Sequence, residues 1–279
     1  MVEIVNKGRS AMAPKREEGD FVEALARGLN VIRVFSTSHL AMSVSDVATA
    51  TDLARPTARR LLLTLEQLGY VRATDGLYML TPKILELGLS YINAQGMWDI
   101  ARPHLVDLVG KTKESSSMSQ LDGSDIVYTA RVAVPKIIGM SVQIGTRFPA
   151  IATSMGHVLL SELSSKELDA ILKLPSRSHV VPRIKPTRKE LDAVLADVRT
   201  RGWALSDERL SFGIRSIAAP VRDASGSIVA AVNVTTNAAE TSLVSLKKLH
   251  LPLLLETAEA ITADFGRMAQ LPTTNPLPQ

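Results

Sequence analysis

The stretch with the clearest chemical potential is residues 52–71, DLARPTARRLLLTLEQLGYV, where three arginines fall within six residues at the front of an apolar pattern. Arginine side chains can bond guanine edges or phosphates there, and threonine hydroxyls can do either more weakly. Pro56 suits a first helical turn, because its missing N–H would be unpaired in any case. A helix with several arginines is more often a solvated surface than a DNA reader, so its neighbouring elements decide between the two.

These neighbours predict a winged helix-turn-helix. Five apolar residues from Ala58 to Leu68 follow helical spacing, and Gly69 ends the pattern. Two helix patterns precede it, one over residues 21–35 and a short one for which we expect Ser45 to be the N-cap. Two β-like runs around Asp75-Gly76 follow, a strong hairpin signal. Three helices and then a hairpin are the order of a winged helix-turn-helix.

The candidate DNA contacts lie off the apolar stripe or on the hairpin. The helix would enter the major groove of double-stranded operator DNA, and the hairpin would lie along the backbone or the minor groove. Residues 55–83 hold five basic and two acidic residues, whereas the net charge of the whole chain is only +4. The candidates are Ser45, Arg55, Pro56, Thr57, Arg59, Arg60, Thr64, Arg72 and Tyr78.

Composition excludes several other classes of function. The chain has no cysteine, which removes disulfides, thiolate catalysis and cysteine-ligated zinc. Its five histidines show no paired ligand spacing, so we expect no metal and no cofactor. No apolar run approaches the roughly 20 residues that span a bilayer, and the first residues are charged where a signal peptide needs apolar ones. We therefore expect a cytoplasmic protein without a membrane partner.

The second half has the pattern of an α+β domain with an antiparallel sheet. Helix patterns alternate there with strand groups that are joined by hairpin turns such as Ser225-Gly226, and residues 137–145 are expected to form one of the strands. At 279 residues, two domains are expected. The predicted organisation is a disordered arm at 1–20, the winged helix-turn-helix at 21–82, a linker helix at 83–97, an effector-binding domain at 98–268 and a disordered tail at 269–279.

Polar residues in this second half suggest a ligand site. TSMGHVLL places Ser154 where a helix begins, and free N–H groups at a helix start can bind a carboxylate; a simple N-cap is an equal alternative. Asn233 and Thr235 share one face of a strand, which is either a pocket wall or a solvent face. Arg131 and Arg147 could pair with a carboxylate effector, although arginine is mostly exposed.

An alternative function is a serine hydrolase that uses Ser154. ATSMG partly resembles a nucleophile elbow, but Ala152 occupies the position of its first glycine. The elbow normally sits on a parallel α/β sheet, whereas the strands here are joined by hairpins. We therefore expect that the protein is not an enzyme.

Four stretches over residues 21–268 resemble the IclR (isocitrate-lyase regulator) transcription factors: ALARGLNVIRVF, SVSDVATATDLARPTARRLLLTLEQLGYV, FPAIATSMGHVLLSEL and RGWALSDERLSFGIRSIAAPVRDASGSIVAAVNVTT. The resemblance implies a GAF-like C-terminal domain for a small effector, and a homodimer or a dimer of dimers on a pseudo-palindromic operator. TSMG, SDER and GIRSIAAPV are most similar to the protocatechuate and 4-hydroxybenzoate regulators, which implies an aromatic carboxylic acid as effector.

The family's pocket positions, carried over one by one, also follow from this resemblance. Ser206 and Arg209 depart from the acidic run of the family in the SDER stretch. The implied effector-binding residues are Ile137, Met140, Ser154, Met155, Asp207, Ser216, Asn233 and Thr235.

Overall fold

The computed structural model describes residues 21–36, 39–88, 97–135 and 142–268. The predicted arm at 1–20, the predicted tail at 269–279 and residues 89–96 of the predicted linker helix lie outside these described residues. The chain divides into two compact units, Met1–Tyr91 and Ile92–Gln279. Each unit has its own buried apolar core.

The described residues of the N-terminal unit form the three predicted helices and a small antiparallel sheet, and residues 85–88 are also helical. The strands have the order β1-β3-β2, and a 3₁₀ turn at Pro82–Ile84 follows them. The elements are α1 Glu23–Arg33, β1 Met42–Ser43, α2 Val44–Thr51, α3 Arg55–Gln67, β2 Val71–Thr74 and β3 Leu77–Leu80.

Helix α3 is fixed by one apolar face and by its C-terminal motif. Ala58 and Leu62 are fully buried and Leu65 is nearly so, which confirms most of the predicted stripe, although Leu68 is exposed. Gly69 has a φ of 82°, and the N–H of the next residue donates to the Leu65 carbonyl at 2.8 Å. This Schellman arrangement requires the left-handed conformation that glycine adopts without strain.

The cap of α2 differs from the prediction. Ser43, not Ser45, is the N-cap, because its Oγ accepts a hydrogen bond from the Asp46 N–H at 3.3 Å while its own N–H donates to Asp46 Oδ2 at 2.9 Å. The predicted helix start was two residues too late. A capping box needs its acidic residue three positions after the cap, and Asp46 has this spacing from Ser43 but not from Ser45. Ser45 instead lies in the first turn of α2.

The predicted hairpin is confirmed, and a third strand joins it. Asp75 and Gly76 have φ values of 52° and 78°, as a type I′ turn requires. Strand β1 also pairs with β3, which places Met42 opposite Tyr78. The hairpin strand β3 is therefore the central strand of this sheet.

The C-terminal unit is built on a six-stranded antiparallel sheet, which confirms the predicted α+β class. The strand order is β6-β5-β4-β9-β8-β7. The strands are β4 Ser115–Asp122, β5 Asp125–Val132, β6 Arg147–Pro149, β7 Ala204–Asp207, β8 Ile214–Arg222 and β9 Ile228–Asn237. The helices are α4 Met97–Thr112, α5 Ser154–Ser161, α6 Ser165–Leu172, α7 Arg188–Arg201 and α8 Leu251–Met268.

Helices cover both faces of this sheet. Leu105 of α4 and Leu254 of α8 pack with Ile217 on one face, whereas Leu160 of α5 and Leu195 of α7 belong to the core on the other. No helix in the described parts of the chain is long and apolar enough to cross a membrane.

One predicted strand is wrong in its described part. Val142 to Gly145 form a loop, in which the Thr146 N–H donates to the Gln143 carbonyl and the Gln143 N–H to Thr146 Oγ1. These bonds close a turn, so strand β6 begins only at Arg147.

Helix α5 approaches the backbone before it very closely. A Cβ added to Gly156 would lie 2.0 Å from the carbonyl oxygen of Ala150, in the 3₁₀ turn Ala150–Ala152. Only glycine fits there, so the helix start that carries Ser154 is held tightly against this turn.

Candidate functional sites

The exposed face of α3 carries a cluster of cations at its beginning. Arg55, Arg59 and Arg60 are exposed, and they line an open cleft together with Val44, Ser45 and Pro56. The N-cap of the helix, Ala54, offers no side-chain cap, and the first turn has no acidic residue. Pro56 has no N–H, and the Thr57 N–H donates to the Ala54 carbonyl at 2.9 Å, so the guanidinium groups and the positive end of the helix dipole are what favour a phosphate or another anion here.

These arginines differ in their ion pairs from an arginine of the C-terminal unit. In the parts of the chain that the structure describes, Arg55, Arg59, Arg60 and Arg72 make no ion pair, whereas Arg188 of the C-terminal unit pairs with two aspartates. Unpaired surface cations are free to contact a phosphate backbone or base edges. Two threonines complete the face: Thr57 is half-buried, and Thr64 is exposed with its Oγ1 bound to the Arg60 carbonyl at 2.9 Å.

One predicted DNA contact is corrected. Tyr78 is only 8% exposed and packs in the core with Met42 and Val71, because its side of β3 belongs to the cluster that the three helices also form. The ring cannot lie along DNA from this position. Arg72 on the edge strand β2 is exposed, so it remains the candidate contact of the hairpin.

The C-terminal unit encloses a cavity of about 570 Å³ between the sheet and the start of α5. A row of small hydroxyls crosses four neighbouring strands on the cavity side: Ser206 pairs with Ser216, Ser216 with Thr235, and Thr235 with Ser115. Residues at paired positions of neighbouring strands lie on the same face of the sheet. All four line the cavity, so this face of the sheet forms the polar wall of the cavity.

Serine 154 joins α5 to this row. Its Oγ lies 2.8 Å from the Ser216 Oγ, and Thr153 Oγ1 caps the helix by accepting from the Gly156 N–H at 3.0 Å. Ser154 itself is 1% exposed. Ser154 is the first residue of the helix, as predicted, but the N-cap is Thr153, so the N-cap interpretation of Ser154 is wrong.

A hydrolytic role for Ser154 has no support in this geometry. The nearest candidate base in the sequence, His157, is fully buried and turns its Nε2 to the Ile151 carbonyl at 2.9 Å. Burial lowers the pKa of His157 to about 4. Ser154 is instead hydrogen-bonded to another serine, which cannot act as a general base at neutral pH.

An aromatic wall completes the cavity. Tyr128 and Phe148 meet edge to face with ring centroids 5.6 Å apart, and burial raises the pKa of Tyr128 to about 12. Both line the cavity, as does Phe212, which is 81% exposed. The sequence analysis did not predict these three rings as part of the site. They lie on different strands and loops, so no local pattern indicates that they meet.

Arg131 also lines the cavity, although its residue type favoured an exposed position. In a regular strand Tyr128 and Arg131, three residues apart, would face opposite sides. A bulge leaves Thr129 without a partner, because Met118 pairs with Ala130 and the next residue already pairs with Tyr128. The bulge turns both side chains to the cavity. Arg147, by contrast, pairs with Asp122 and does not line it.

Asp207 is a second correction. It pairs with Arg215 at 2.6 Å and does not line the cavity, whereas its neighbour Ser206 does. Side chains alternate along β7, so only one of these two can face the ligand space. The strand therefore turns Asp207 away from the cavity.

Five of the implied effector-binding residues lie on the cavity wall. Ile137 and Met140 fall outside the described residues. The five are Ser154, Met155, Ser216, Asn233 and Thr235.

A winged helix-turn-helix with unpaired arginines, followed in one chain by a cavity-bearing α+β domain, defines a ligand-responsive DNA-binding regulator. Family models agree with this class. Residues 24–75 match the IclR helix-turn-helix domain, and residues 89–263 match the bacterial transcriptional regulator IclR C-terminal domain. The chain belongs to the IclR family of transcription regulators, which are not enzymes.

Individual relatives are similar over most of the chain. The Pca regulon regulatory protein of Pseudomonas putida is 35% identical over 237 residues, which are 85% of this chain and 81% of that one. The crystal structure of a transcriptional regulator from Rhodococcus sp. RHA1 is 49% identical, with a TM-score of 0.78, over 89% of this chain and all of that one. A double mutant of the PobR inducer-binding domain from Acinetobacter, in complex with 3-hydroxybenzoic acid, is 30% identical, with a TM-score of 0.52, over 59% of this chain and 96% of that one.

Proposed function

We propose that the effector of this regulator is an aromatic carboxylic acid bound in the cavity of the C-terminal unit. The observation that carries the proposal is a cavity of about 570 Å³ with an edge-to-face pair of aromatic rings on one side and a row of hydroxyls on the other. Ligand sites of this size are mostly apolar with a few placed polar groups. The ligand in the PobR inducer-binding domain, 3-hydroxybenzoic acid, supports the same chemistry.

Operator DNA is bound by the exposed face of α3 in this proposal. Arg59 and Arg60 face the major groove, where a bidentate arginine recognises guanine, and Arg55 holds a phosphate at the positive end of the helix dipole. Arg72 extends the contact along the backbone. A regulator that acts on chromosomal DNA works in the cytoplasm, which is the compartment we propose.

Two copies would read the two halves of a pseudo-palindromic operator, as a homodimer or as a dimer of dimers that forms a homotetramer. The exposed apolar side of α1 supports pairing through the N-terminal unit, since Leu25 is 63% and Leu29 49% exposed. Apolar residues on one side of a helix normally face a partner. Leu25→Glu should therefore shift the sedimenting species to the monomer, and an unchanged sedimentation coefficient would contradict pairing through α1.

Effector binding changes operator affinity only if the acid binds two arrangements of the dimer with different affinity. We propose that the predicted linker helix, residues 83–97, transmits this difference between the units. Replacing it with an unrelated helix of equal length should preserve DNA binding and remove the response to the acid. A preserved response would exclude the linker from coupling.

The function is tested by a mobility-shift titration with the DNA upstream of the protein's own gene and an unrelated fragment of equal length. The titration is repeated at two salt concentrations and with 3-hydroxybenzoate, 4-hydroxybenzoate or protocatechuate. We expect tight, salt-sensitive binding to the upstream fragment and a changed affinity with one of the acids. Binding that no acid alters would retain the regulator and overturn the proposed effector.

A further inference from the structure

We propose that the guanidinium group of Arg131 binds the carboxylate of the effector, and that this contact, not the amino end of α5, makes the cavity select an acid. The inference rests on the proposed function, because it assigns one end of the proposed ligand. Among the described residues that line the cavity, Arg131 is the single cation and Glu114 the single anion.

The hydrogen-bond count of Arg131 leaves room for an anion. A guanidinium has five N–H donors and no acceptor, and within the described residues only Nη1 has a partner, the Ser117 Oγ at 3.0 Å. Nε is buried without a partner, and no carboxylate in the described chain pairs with this side chain. Burial also lowers the pKa of Arg131. A buried charge with unused donors is costly, and a bound carboxylate would offset that cost.

The position of Arg131 is fixed by a polar row across three strands. Arg131 pairs with Ser117 and Ser117 with Asn233. Asn233 Oδ1 accepts from the Ser117 N–H at 3.0 Å, while its Nδ2 donates to Thr235 Oγ1 at 2.9 Å. An arginine held in this way presents its remaining donors in one geometry, which a carboxylate matches with two oxygens.

The amino end of α5 is less suited to a carboxylate. Thr153 already caps the helix, Ser154 and Ser216 bond to each other, and none of the described residues on that side is a cation. Two hydroxyls that share one hydrogen bond keep a donor and free lone pairs, which suits a ring hydroxyl of the ligand. The two ends of the cavity thus recognise different groups.

The spacing of the two ends fits a single ring. Ser117 and Ser216 lie on strands separated only by β9, and strands lie about 4.8 Å apart, so the two ends are about 10 Å apart across the sheet. Tyr128 and Phe148 supply the apolar contact between them. Glu114 directly precedes β4, so its backbone lies three residues, or about 10 Å, from Ser117 along the strand.

The test compares acids with their neutral amides in calorimetric titrations of the full-length protein. The probes are 4-hydroxybenzoate, 3-hydroxybenzoate and the two corresponding hydroxybenzamides. We expect the wild type to prefer an acid to its amide by at least 10-fold. Arg131→Gln should weaken binding of the acid by about 10- to 100-fold and binding of the amide by less than about 3-fold. Arg131→Lys keeps the charge but not the planar fork, so its affinity for the acid should lie between those of the wild type and Arg131→Gln.

Ser154→Ala is the matched variant at the other end of the cavity. It should leave the acid-to-amide ratio unchanged, and melting curves without ligand control for folding. An unchanged ratio in Arg131→Gln, or a ratio lost in Ser154→Ala, would overturn the assignment of Arg131 while leaving the effector class intact. If the wild type binds none of the acids, the proposed effector class itself fails, and the inference fails with it.

Discussion

The two functional regions of the molecule place their polar side chains in opposite ways. Arg55, Arg59 and Arg60 stand on the exposed face of one helix, within six residues of the chain. The polar wall of the cavity comes from separate strands, and Ser117 bonds to a side chain 116 positions away. A helix surface is therefore encoded locally, whereas the cavity exists only once the sheet has formed.

The two regions also differ in how their charges are satisfied. The arginines of α3 are exposed and unpaired in the described chain, so solvent screens them until DNA binds. Arg131 is partly buried with a single hydrogen bond, so its charge costs free energy until an anion binds. The first region thus acts through long-range attraction, and the second through short-range complementarity.

The largest expected effect comes from a substitution that distorts the cavity of the C-terminal unit and leaves α3 unchanged. Gly156→Ala places a Cβ 2.0 Å from the Ala150 carbonyl oxygen, and overpacking against rigid backbone should cost about 3 kcal/mol. Gly110→Ala in α4, where a Cβ meets nothing within 4 Å, should instead stabilise by about 0.5 kcal/mol or more. Denaturant unfolding followed by fluorescence of Trp98 and Trp203 reports on the C-terminal unit alone, since the chain has no other tryptophan. Equal stability of the two variants would contradict the close approach.

The second prediction separates the units by pH. Burial holds the pKa of His157 at about 4, below its unfolded value of 6.5, so the unfolded chain takes up the proton first. The neutral His157 therefore makes its full contribution to the free energy of unfolding of the C-terminal unit above pH 6.5. This free energy falls by about 3 kcal/mol as the pH drops to 4.

The variant His157→Gln should flatten this dependence. Asp264 does not interfere in this range, because the hydrogen bond from His104 lowers its pKa below 3.8, and its stabilisation is lost only at lower pH. A pH profile of the wild type that is flat between 6.5 and 4 would show that His157 is not neutral in the folded unit.

The third prediction concerns the exposed region. Arg59→Ala and Arg60→Ala should each weaken binding to the upstream DNA by about 10- to 100-fold if they contact bases, with unchanged unfolding. Arg177→Ala removes an exposed arginine of the C-terminal unit and is the matched control for charge. Equal affinities for all three variants would exclude α3 as the recognition helix.

The smallest expected effect distinguishes a buried ring from a surface contact. Tyr78→Phe should change DNA affinity less than about 2-fold. Tyr78 packs in the core of the N-terminal unit, whereas DNA affinity depends on side chains at the surface. Arg72→Ala on the neighbouring strand should lower the salt dependence of binding. A larger loss with Tyr78→Phe would restore this side chain as a contact.

The sequence predicted the elements that depend on local pattern. The stripe from Ala58 to Leu65, the Asp75-Gly76 turn and the hairpin around Ser225-Gly226 are all present, because each depends on neighbours a few residues apart. The prediction for Tyr78 was wrong because which face of the hairpin packs on the helices is set by tertiary contacts, which a four-residue strand does not reveal.

The cavity shows the opposite limit. Asp207 was chosen by correspondence with the family, but the alternation of β7 turns Ser206 inward in its place. Arg131 was undervalued because a single bulge at Thr129 decides its direction. One unpaired residue in a strand reverses every later side chain, and no spacing rule marks where it occurs.

The central claim is that an acid in the cavity controls DNA binding by α3. The most direct measurement is the affinity for the upstream DNA, without ligand and with a saturating concentration of the acid that binds most tightly, for the wild type and for Arg131→Gln. We predict a change of at least about fivefold in the wild type. Arg131→Gln should have the same operator affinity without ligand, and it should need about 10- to 100-fold more acid than the wild type for the same change in operator affinity. An operator affinity of the wild type that is identical with and without saturating acid would contradict the account.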